Sequence, residues 1–128
     1  MEANKVVLRF KNGSLMKGNT SDFFPNKKDF HLTLLDGKII KIITEDLKAI
    51  FFVKDFIGDK NRDKIYTGDV PGGGRKLQVK FPDGEVIIGF SQGYSSCRPG
   101  FFIVSADKGE NNERVYIVNS ATEKVMFL

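Results

Sequence analysis

RFKNGSLMKG, residues 9–18, and KFPDGEVIIG, residues 80–89, are two versions of one pattern. Each stretch has an Asn-Gly or Asp-Gly pair two residues after a phenylalanine, and a second glycine five residues beyond the first. Glycine readily adopts the positive φ that tight hairpin turns need, so both stretches predict a β-hairpin. The match continues at an offset of 71 as far as Asp36 and Asp107, and at an offset of 75 from Phe52 and Phe127. The sequence therefore predicts an internal duplication whose second copy has four extra residues in a loop.

Each copy predicts five short strands, with one helical turn before the last. Val6, Leu8 and Phe10 alternate with polar or less apolar neighbours, which is the period-2 pattern of a half-buried strand. The turn is predicted at residues 44–47, with Thr44 as its cap, and at residues 119–122. This outline resembles small SH3-like and Sm-like barrels. We therefore expect an all-β fold, with two tandem SH3-like/Sm-like five-stranded barrels at residues 1–56 and 76–128 and a linker at residues 57–75.

The two barrels are expected to pack as one unit. Val86-Ile87-Ile88 is apolar on both faces of its strand, whereas Leu15-Met16-Lys17 in the first copy is not. A strand with two apolar faces is usually covered on both sides. The sequence therefore predicts that this face of the second barrel packs against the first.

Two family resemblances accompany this pattern. The layout from Asn12-Gly13 to Gly18, followed by a long bent pair of strands and the segment from Thr44 to Val53, resembles the bacterial Sm-like RNA chaperones. The turn at Glu45-Asp46 is acidic where that family has a basic pair, so no uridine pocket is carried over to any residue. Residues 47–56 resemble an uncharacterised bacterial domain family of unknown function. The resemblance implies a bacterial source and names no activity.

Composition excludes several classes of protein. The 128 residues carry a net charge of +4, and the excess lies in residues 1–54, which have ten Lys/Arg and six Asp/Glu. An anionic partner should therefore meet this part first. The sequence has no apolar run long enough for a membrane helix and no signal-peptide layout, so a cytoplasmic protein is expected. One cysteine and one histidine cannot form a Cys/His zinc site, and no metal or cofactor is predicted.

The sequence offers no paired catalytic set, so no enzyme is predicted. His31 aligns with Phe102, and this replacement by a ring favours a packing role. Residues 71–76, PGGGRK, could wrap a phosphate with backbone amides, but they lack the Lys-Ser/Thr ending of a phosphate-binding loop. A linker is the favoured interpretation of this stretch.

Two aromatic and basic loops, residues 22–30 and 93–101, are the best binding candidates. Aromatic rings beside cations stack on nucleic-acid bases or grip an extended peptide. The alternative is that Phe23, Phe30, Tyr94 and Phe101 plug the two barrels. The candidate binding residues from these loops are Phe24, Lys27, Lys28, Tyr94 and Arg98.

The first functional hypothesis is a non-enzymatic binding or scaffold module that contacts a protein or peptide, by strand addition at a sheet edge or through the aromatic loops. The alternative is weak binding of single-stranded RNA or DNA by the basic first barrel. Salt separates the two, because nucleic-acid affinity falls steeply as salt rises. Ligand identity and oligomeric state are left open by the sequence.

Overall fold

A computed structural model describes residues 3–53, 74–91, 93–105 and 112–128. These residues form ten β-strands and two short 3-10 turns, and the all-β prediction is confirmed. The first repeat contains β1 (Asn4–Phe10), β2 (Leu15–Thr20), β3 (Asp29–Leu34), β4 (Ile39–Ile43) and β5 (Leu47–Val53). The second repeat contains β6 (Arg75–Lys80), β7 (Val86–Ser91), β8 (Gly100–Ser105), β9 (Asn112–Val118) and β10 (Lys124–Phe127). The 3-10 turns are Thr44–Asp46 and Asn119–Ala121.

The opening pattern forms the predicted hairpin in both repeats. Gly13 and Gly84 adopt φ values of 91° and 94°, a conformation that L side chains rarely adopt. The residue before each glycine supports the turn from its side chain: Asn12 Oδ1 accepts a hydrogen bond from Ser14 N at 2.9 Å, and Asp83 Oδ1 accepts one from Glu85 N at 2.9 Å. The Asn-Gly or Asp-Gly pair that the two stretches share therefore forms the same kind of turn in both repeats.

The second glycine of each stretch lets two strands approach closely. Gly18 and Gly89 each lie in the second strand of their repeat, opposite Leu34 and Ser105. A Cβ atom built at Gly89 would lie 2.6 Å from the carbonyl oxygen of Val104. That distance is shorter than normal van der Waals contact, so a side chain here would push the two strands apart.

Gly89→Ala is expected to lower the free energy of unfolding by about 2 kcal/mol, the middle of the range for overpacked sites. The matched control is Gly93→Ala, whose Cβ would meet only Arg98 Nη1 at an ordinary 3.7 Å. Chemical denaturation of both variants measures the difference. Equal stability of Gly89→Ala and wild type would contradict the close approach of β7 and β8.

The described strands form one antiparallel sheet in the order β10-β6-β7-β8-β9-β5-β1-β2-β3-β4. Each repeat keeps its own order, with its last strand beside its first, and the repeats are joined by the pairing of β5 with β9. In this pairing Ala49 lies opposite Ile117 and Phe51 opposite Val115. The described pairings leave the sheet open, with β4 and β10 at its two ends, so two closed five-stranded barrels are not confirmed.

The two repeats exchange side chains across the β5–β9 joint. The first core is the cluster of buried residues Val6, Leu8, Phe30, Leu32, Ile42, Leu47, Ile50, Phe52, Tyr116, Val118 and Ala121. The second core is the cluster Ala49, Leu77, Val79, Phe81, Phe101, Ile103, Val115 and Ile117. Tyr116, Val118 and Ala121 thus belong by sequence to the second repeat but complete the first core, and Ala49 does the reverse. Each core needs residues from both repeats.

This joint differs from the predicted contact between repeats. Val86 is 38% exposed, and Ile87 packs on the second core of its own repeat. The strands covered on both faces are β5 and β9 instead, because each faces a core on either side. The prediction that Val86-Ile87-Ile88 packs against the first repeat is therefore wrong.

The predicted helical turns are present, but Thr44 is not the cap. Ile43 precedes the first 3-10 turn, with no side-chain cap hydrogen bond, and Thr44 is the first residue within the turn. Residues 57–73 of the predicted linker, which include the first half of the glycine-rich stretch, lie outside the described residues, as do residues 106–111, where the second copy has its extra length. Arg75 and Lys76 belong to β6. Within the described ranges, no helix has the length and apolar character needed to cross a membrane.

Candidate binding site

The two candidate loops meet in space around one pocket. The first loop, residues 21–28, connects β2 to β3, and the second loop, whose described part is residues 93–99, connects β7 to β8. The pocket between them, called here the inter-loop pocket, has a volume of about 420 Å³. Its walls include Pro25, Asn26, Arg98, Pro99, Phe102 and Tyr116. Residues from both repeats therefore build a single concave surface.

The inner wall of the pocket is aromatic. Phe102 and Tyr116 pack edge to face with ring centroids 5.0 Å apart, and Phe23 approaches Tyr116 at the same distance. Gly100 lies against this wall, where an added Cβ would come within 2.5 Å of the Tyr116 hydroxyl. An apolar ligand group could therefore rest on a rigid ring surface.

Tyr116 carries an unusual polar atom at this wall. Its side chain is only 1% exposed, and its hydroxyl has no hydrogen-bond partner among the described residues. Burial, and to a lesser degree the carboxylate of Glu45, raise the pKa of this phenol. The hydroxyl therefore stays neutral at physiological pH. Buried polar groups nearly always have partners, so this hydroxyl is an exception within the described part of the chain.

Asp22 holds the first loop in place through hydrogen bonds to His31, a residue that was predicted to pack in the core. Its Oδ1 accepts a hydrogen bond from His31 N at 2.9 Å, and its Oδ2 lies 2.8 Å from His31 Nδ1. The His31 side chain is 57% exposed, so the predicted packing role is wrong. Burial raises the pKa of Asp22, but the hydrogen bonds to His31 and Thr20 outweigh this and hold it below its usual value. The ionised carboxylate thus pins the loop to β3.

The second loop is held by Asn119, at the start of the second 3-10 turn. Asn119 Nδ2 donates to the carbonyl oxygens of Ser95 and Arg98 at 2.9 and 2.8 Å. Its backbone N–H donates to the carbonyl oxygen of Pro99 at 2.9 Å. One side chain therefore fixes the backbone that carries Arg98, while the exposed guanidinium stays at the rim of the pocket.

The five predicted site residues fall into three groups. Arg98 lines the inter-loop pocket. Phe24, Lys27 and Lys28 are exposed on the first loop, where Lys27 Nζ lies 5.6 Å from the centre of the Phe24 ring. Tyr94 packs on the second core, with its ring 4.8 Å from Phe101. Phe30 and Phe101 are buried, and Phe23 and Tyr94 are half-buried against the cores, which matches the core-plug alternative for those four.

A charged cluster at the joint between repeats was not predicted. This seam charge cluster consists of Arg9, Lys48, Asp83 and Glu85. Lys48 is 6% exposed, and its Nζ lies 2.7 Å from Asp83 Oδ2 and 2.5 Å from Glu85 Oε1. Arg9 Nη1 contacts both oxygens of Glu85, at 2.9 and 2.8 Å. The hairpin turn of the second repeat is thereby bound to the sheet of the first.

The charges in this cluster satisfy one another. Burial raises the pKa of Glu85, but hydrogen bonds from Lys48 and Arg9 outweigh this effect and lower it below its usual value. The Lys48 ammonium also lies 4.5 Å from the centre of the Phe81 ring. A second cavity of about 410 Å³ borders Lys48 and Asp83. Because Lys48 already contacts two carboxylates, this cavity is the weaker candidate for a ligand site.

The described residues give no sign of a metal centre. Over those ranges, no group of three or more His, Cys, Asp and Glu side chains is placed to hold a metal ion. Cys97 is exposed on the second loop. The residues that line the inter-loop pocket offer apolar contact, hydrogen bonding and the charge of Arg98.

Fold and site together define an all-β protein built from a duplicated five-strand unit, with a pocket where the loops of the two units meet. The chain belongs to a family of unknown function, DUF6982, which matches residues 2–128. The match covers both repeats. No curated protein and no solved structure matches the chain.

Proposed function

We propose that the protein is a non-enzymatic binding module that holds an extended peptide segment of another protein in the inter-loop pocket. The observation that carries this proposal is the pocket itself, about 420 Å³ in volume, walled by rings and prolines, with one cation at its rim. Pockets that bind through apolar surface with a few fixed polar groups have this character. Each repeat acts in this proposal as an SH3-like or Sm-like unit, and a bacterial, cytoplasmic source stays a prediction.

The pocket also indicates which peptide it would hold. The half-buried Phe102 ring, backed by the buried Tyr116, offers an apolar wall for one aliphatic or prolyl side chain, and Pro25 and Pro99 also line the pocket. Arg98 at the rim favours an acidic residue or a terminal carboxylate beside that side chain. The expected ligand is therefore a short segment with one apolar anchor next to one negative charge.

Arg98→Ala is expected to weaken peptide binding about tenfold, because a hydrogen bond to a charged group contributes about 1.5 kcal/mol. The probe is a fluorescent peptide selected from a random display library against the wild-type chain, measured by fluorescence anisotropy. The matched control is Lys17→Ala on β2, which is not among the residues lining the pocket.

Two results would contradict this proposal. The first is that no peptide is enriched over a surface without protein. The second is that an enriched peptide binds Arg98→Ala and wild type equally but loses affinity on Lys17→Ala. Retention of binding in Arg98→Lys would show that charge, rather than the shape of the guanidinium, is what the site uses.

A second candidate function rests on the first loop. Exposed Phe24 next to Lys27 and Lys28 is an arrangement that can stack on a base while the cations meet phosphate. Anisotropy with a mixed-sequence RNA oligonucleotide at low and moderate salt tests it. Salt-sensitive binding that is lost in the double variant Lys27→Glu/Lys28→Glu would favour this function over peptide binding.

A further inference from the structure

The β5–β9 pairing that joins the two repeats suggests how two molecules could pair through equivalent strands. In the first repeat, Phe30 pairs with Ile42 across β3 and β4; in the second, the equivalent Phe101 pairs with Ile117 across β8 and β9. Strand β9 is therefore the counterpart of β4. By the same reasoning β10 is the counterpart of β5, because Val6 pairs with Phe52 and Leu77 with Phe127.

The strands equivalent to those in the joint end the sheet. Inside the chain, β5 pairs with β9, while β10 and β4, their counterparts, are the edge strands in the described sheet. An edge strand presents backbone N–H and C=O groups that can pair with another strand. Among the described residues, the chain thus has one copy of each half of the internal joint at an edge of the sheet.

Exposed apolar side chains gather at these edges. Of the ten large apolar side chains that are exposed in the described ranges, four lie in or directly beside β4 or β10: Ile39, Ile43, Phe127 and Leu128. Ile39 is 68% exposed and Phe127 46%. Contiguous exposed apolar surface at a sheet edge is typical of an interaction surface.

We propose that β10 of one molecule pairs antiparallel with β4 of a second copy, in the register of the β5–β9 joint. Phe52 lies opposite Arg114 in that joint, and Phe51 opposite Val115. Transfer by the repeat offsets places Phe127 of one copy opposite Ile39 of the next, and Met126 opposite Ile40. The contact is head to tail, so each molecule uses a different edge at each end, and the assembly closes into a ring or extends.

Two lysines make the proposed joint weaker than the internal one. Lys41 on β4 is the counterpart of Tyr116 on β9, and Lys124 on β10 is the counterpart of Ala49 on β5. Lysine on an edge strand disfavours indiscriminate strand pairing. The association is therefore expected to be reversible on dilution and selective for the one register in which the flanking apolar residues meet.

A second copy is a better occupant than an unrelated strand, because the chain itself shows that these two kinds of edge fit each other. The internal joint pairs a fifth strand with a fourth strand and moves side chains of each into the core of the other. The same exchange would cover Ile43 and Met126 at the ends of the sheet.

Sedimentation velocity of the full chain over a hundredfold range of concentration tests the proposal. The weight-average sedimentation coefficient is expected to rise with concentration for wild type and for Leu15→Lys, a control at an exposed apolar residue of β2. Ile39→Lys is expected to lower the association constant at least tenfold. A monomer at every concentration, or equal effects of the two substitutions, would overturn the proposal.

Disulfide cross-linking tests the register independently of affinity. In a Cys97→Ser background, a molecule with Ile39→Cys is mixed with an isotope-labelled molecule with Phe127→Cys and oxidised. Residues directly opposite in an antiparallel pair have Cα atoms about 4.5–5.5 Å apart, within the range of about 4.4–6.8 Å that a disulfide spans. The mixed dimer is expected for this pair and not for Lys41→Cys with Phe127→Cys, which is two residues out of register.

The dimers identified by mass decide the geometry. Dominant self-linking of Ile39→Cys would mean that β4 pairs with β4, and it would overturn the head-to-tail joint. Thermal unfolding of each cysteine variant confirms that the fold is intact before oxidation, which matters for Phe127 because its ring packs beside Arg75 and Tyr94.

Discussion

Residues 1–56 expressed alone are expected to show no cooperative thermal unfolding transition. Without the second repeat, the first core loses Tyr116, Val118 and Ala121, and strand β5 becomes an exposed edge with Phe51 uncovered. Truncating one large buried ring already costs about 3–5 kcal/mol, which is comparable to the whole stability of a small domain. A unit of this size also buries too little surface to tolerate such a loss.

Circular dichroism against temperature measures this prediction, with the full chain as the control. The full chain is expected to unfold in one sharp transition because each core contains residues from both repeats. A sharp transition from residues 1–56 alone would show that the first repeat closes its own core, and it would contradict the shared-core account.

Glu85→Ala is expected to lower the free energy of unfolding by about 2 kcal/mol, because it removes a partly exposed carboxylate from the buried Lys48 ammonium. Lys48 is almost completely buried and would keep only Asp83, whose side chain is 57% exposed. Arg9 would lose its contact with the second repeat at the same time. Chemical denaturation measures the loss.

Lys48→Met is the matched control for this substitution. It keeps much of the buried stem and leaves Glu85 paired with Arg9, so a smaller loss of stability is expected. If Lys48→Met proved as damaging as Glu85→Ala, the cost would lie in packing at the joint rather than in the unpaired ammonium.

The same cluster gives stability a defined pH dependence. The folded-state pKa of Glu85 lies below its value in the unfolded chain, so its contribution is present above the unfolded value of 4.5 and is lost as pH falls through the folded value. We expect the free energy of unfolding to fall more for wild type than for Glu85→Gln when the pH is lowered from 5 to below the folded-state pKa of Glu85. Parallel pH profiles for the two proteins would contradict this assignment.

Much of the fold could be predicted because its signals are local. The Asn12-Gly13 and Asp83-Gly84 turns follow from the backbone freedom of glycine, and the offsets of 71 and 75 agree with the strand registers of both repeats. The β5–β9 joint was not predicted. Two apolar faces indicate that a strand is covered on both sides, but they do not identify the strands or side chains that cover it. Val86-Ile87-Ile88 shows the same pattern as β5 and β9, and only long-range pairing distinguishes them.

The candidate site was predictable in its loops and less so in its partners. Arg98 was predicted from its place in the second aromatic and basic loop, but the sequence did not indicate that the two loops meet. Tyr116 lies in β9, and its counterpart in the first repeat is Lys41. The repeat pattern therefore gave no sign that Tyr116 lines a pocket. Lys48 was missed because a lysine between apolar residues is usually solvent-exposed, and its acidic partners are 35 and 37 residues away.

The β5–β9 joint also sets the order of events during synthesis. Ala49 leaves the ribosome 68 residues before Ile117, the residue it pairs with. At translation speeds of about 5–20 residues per second, strand β5 waits roughly 3–14 s with one side of its backbone unpaired and its apolar second face in water. The nascent chain is therefore most vulnerable to aggregation and most attractive to chaperones in that interval, which ends when β9 emerges.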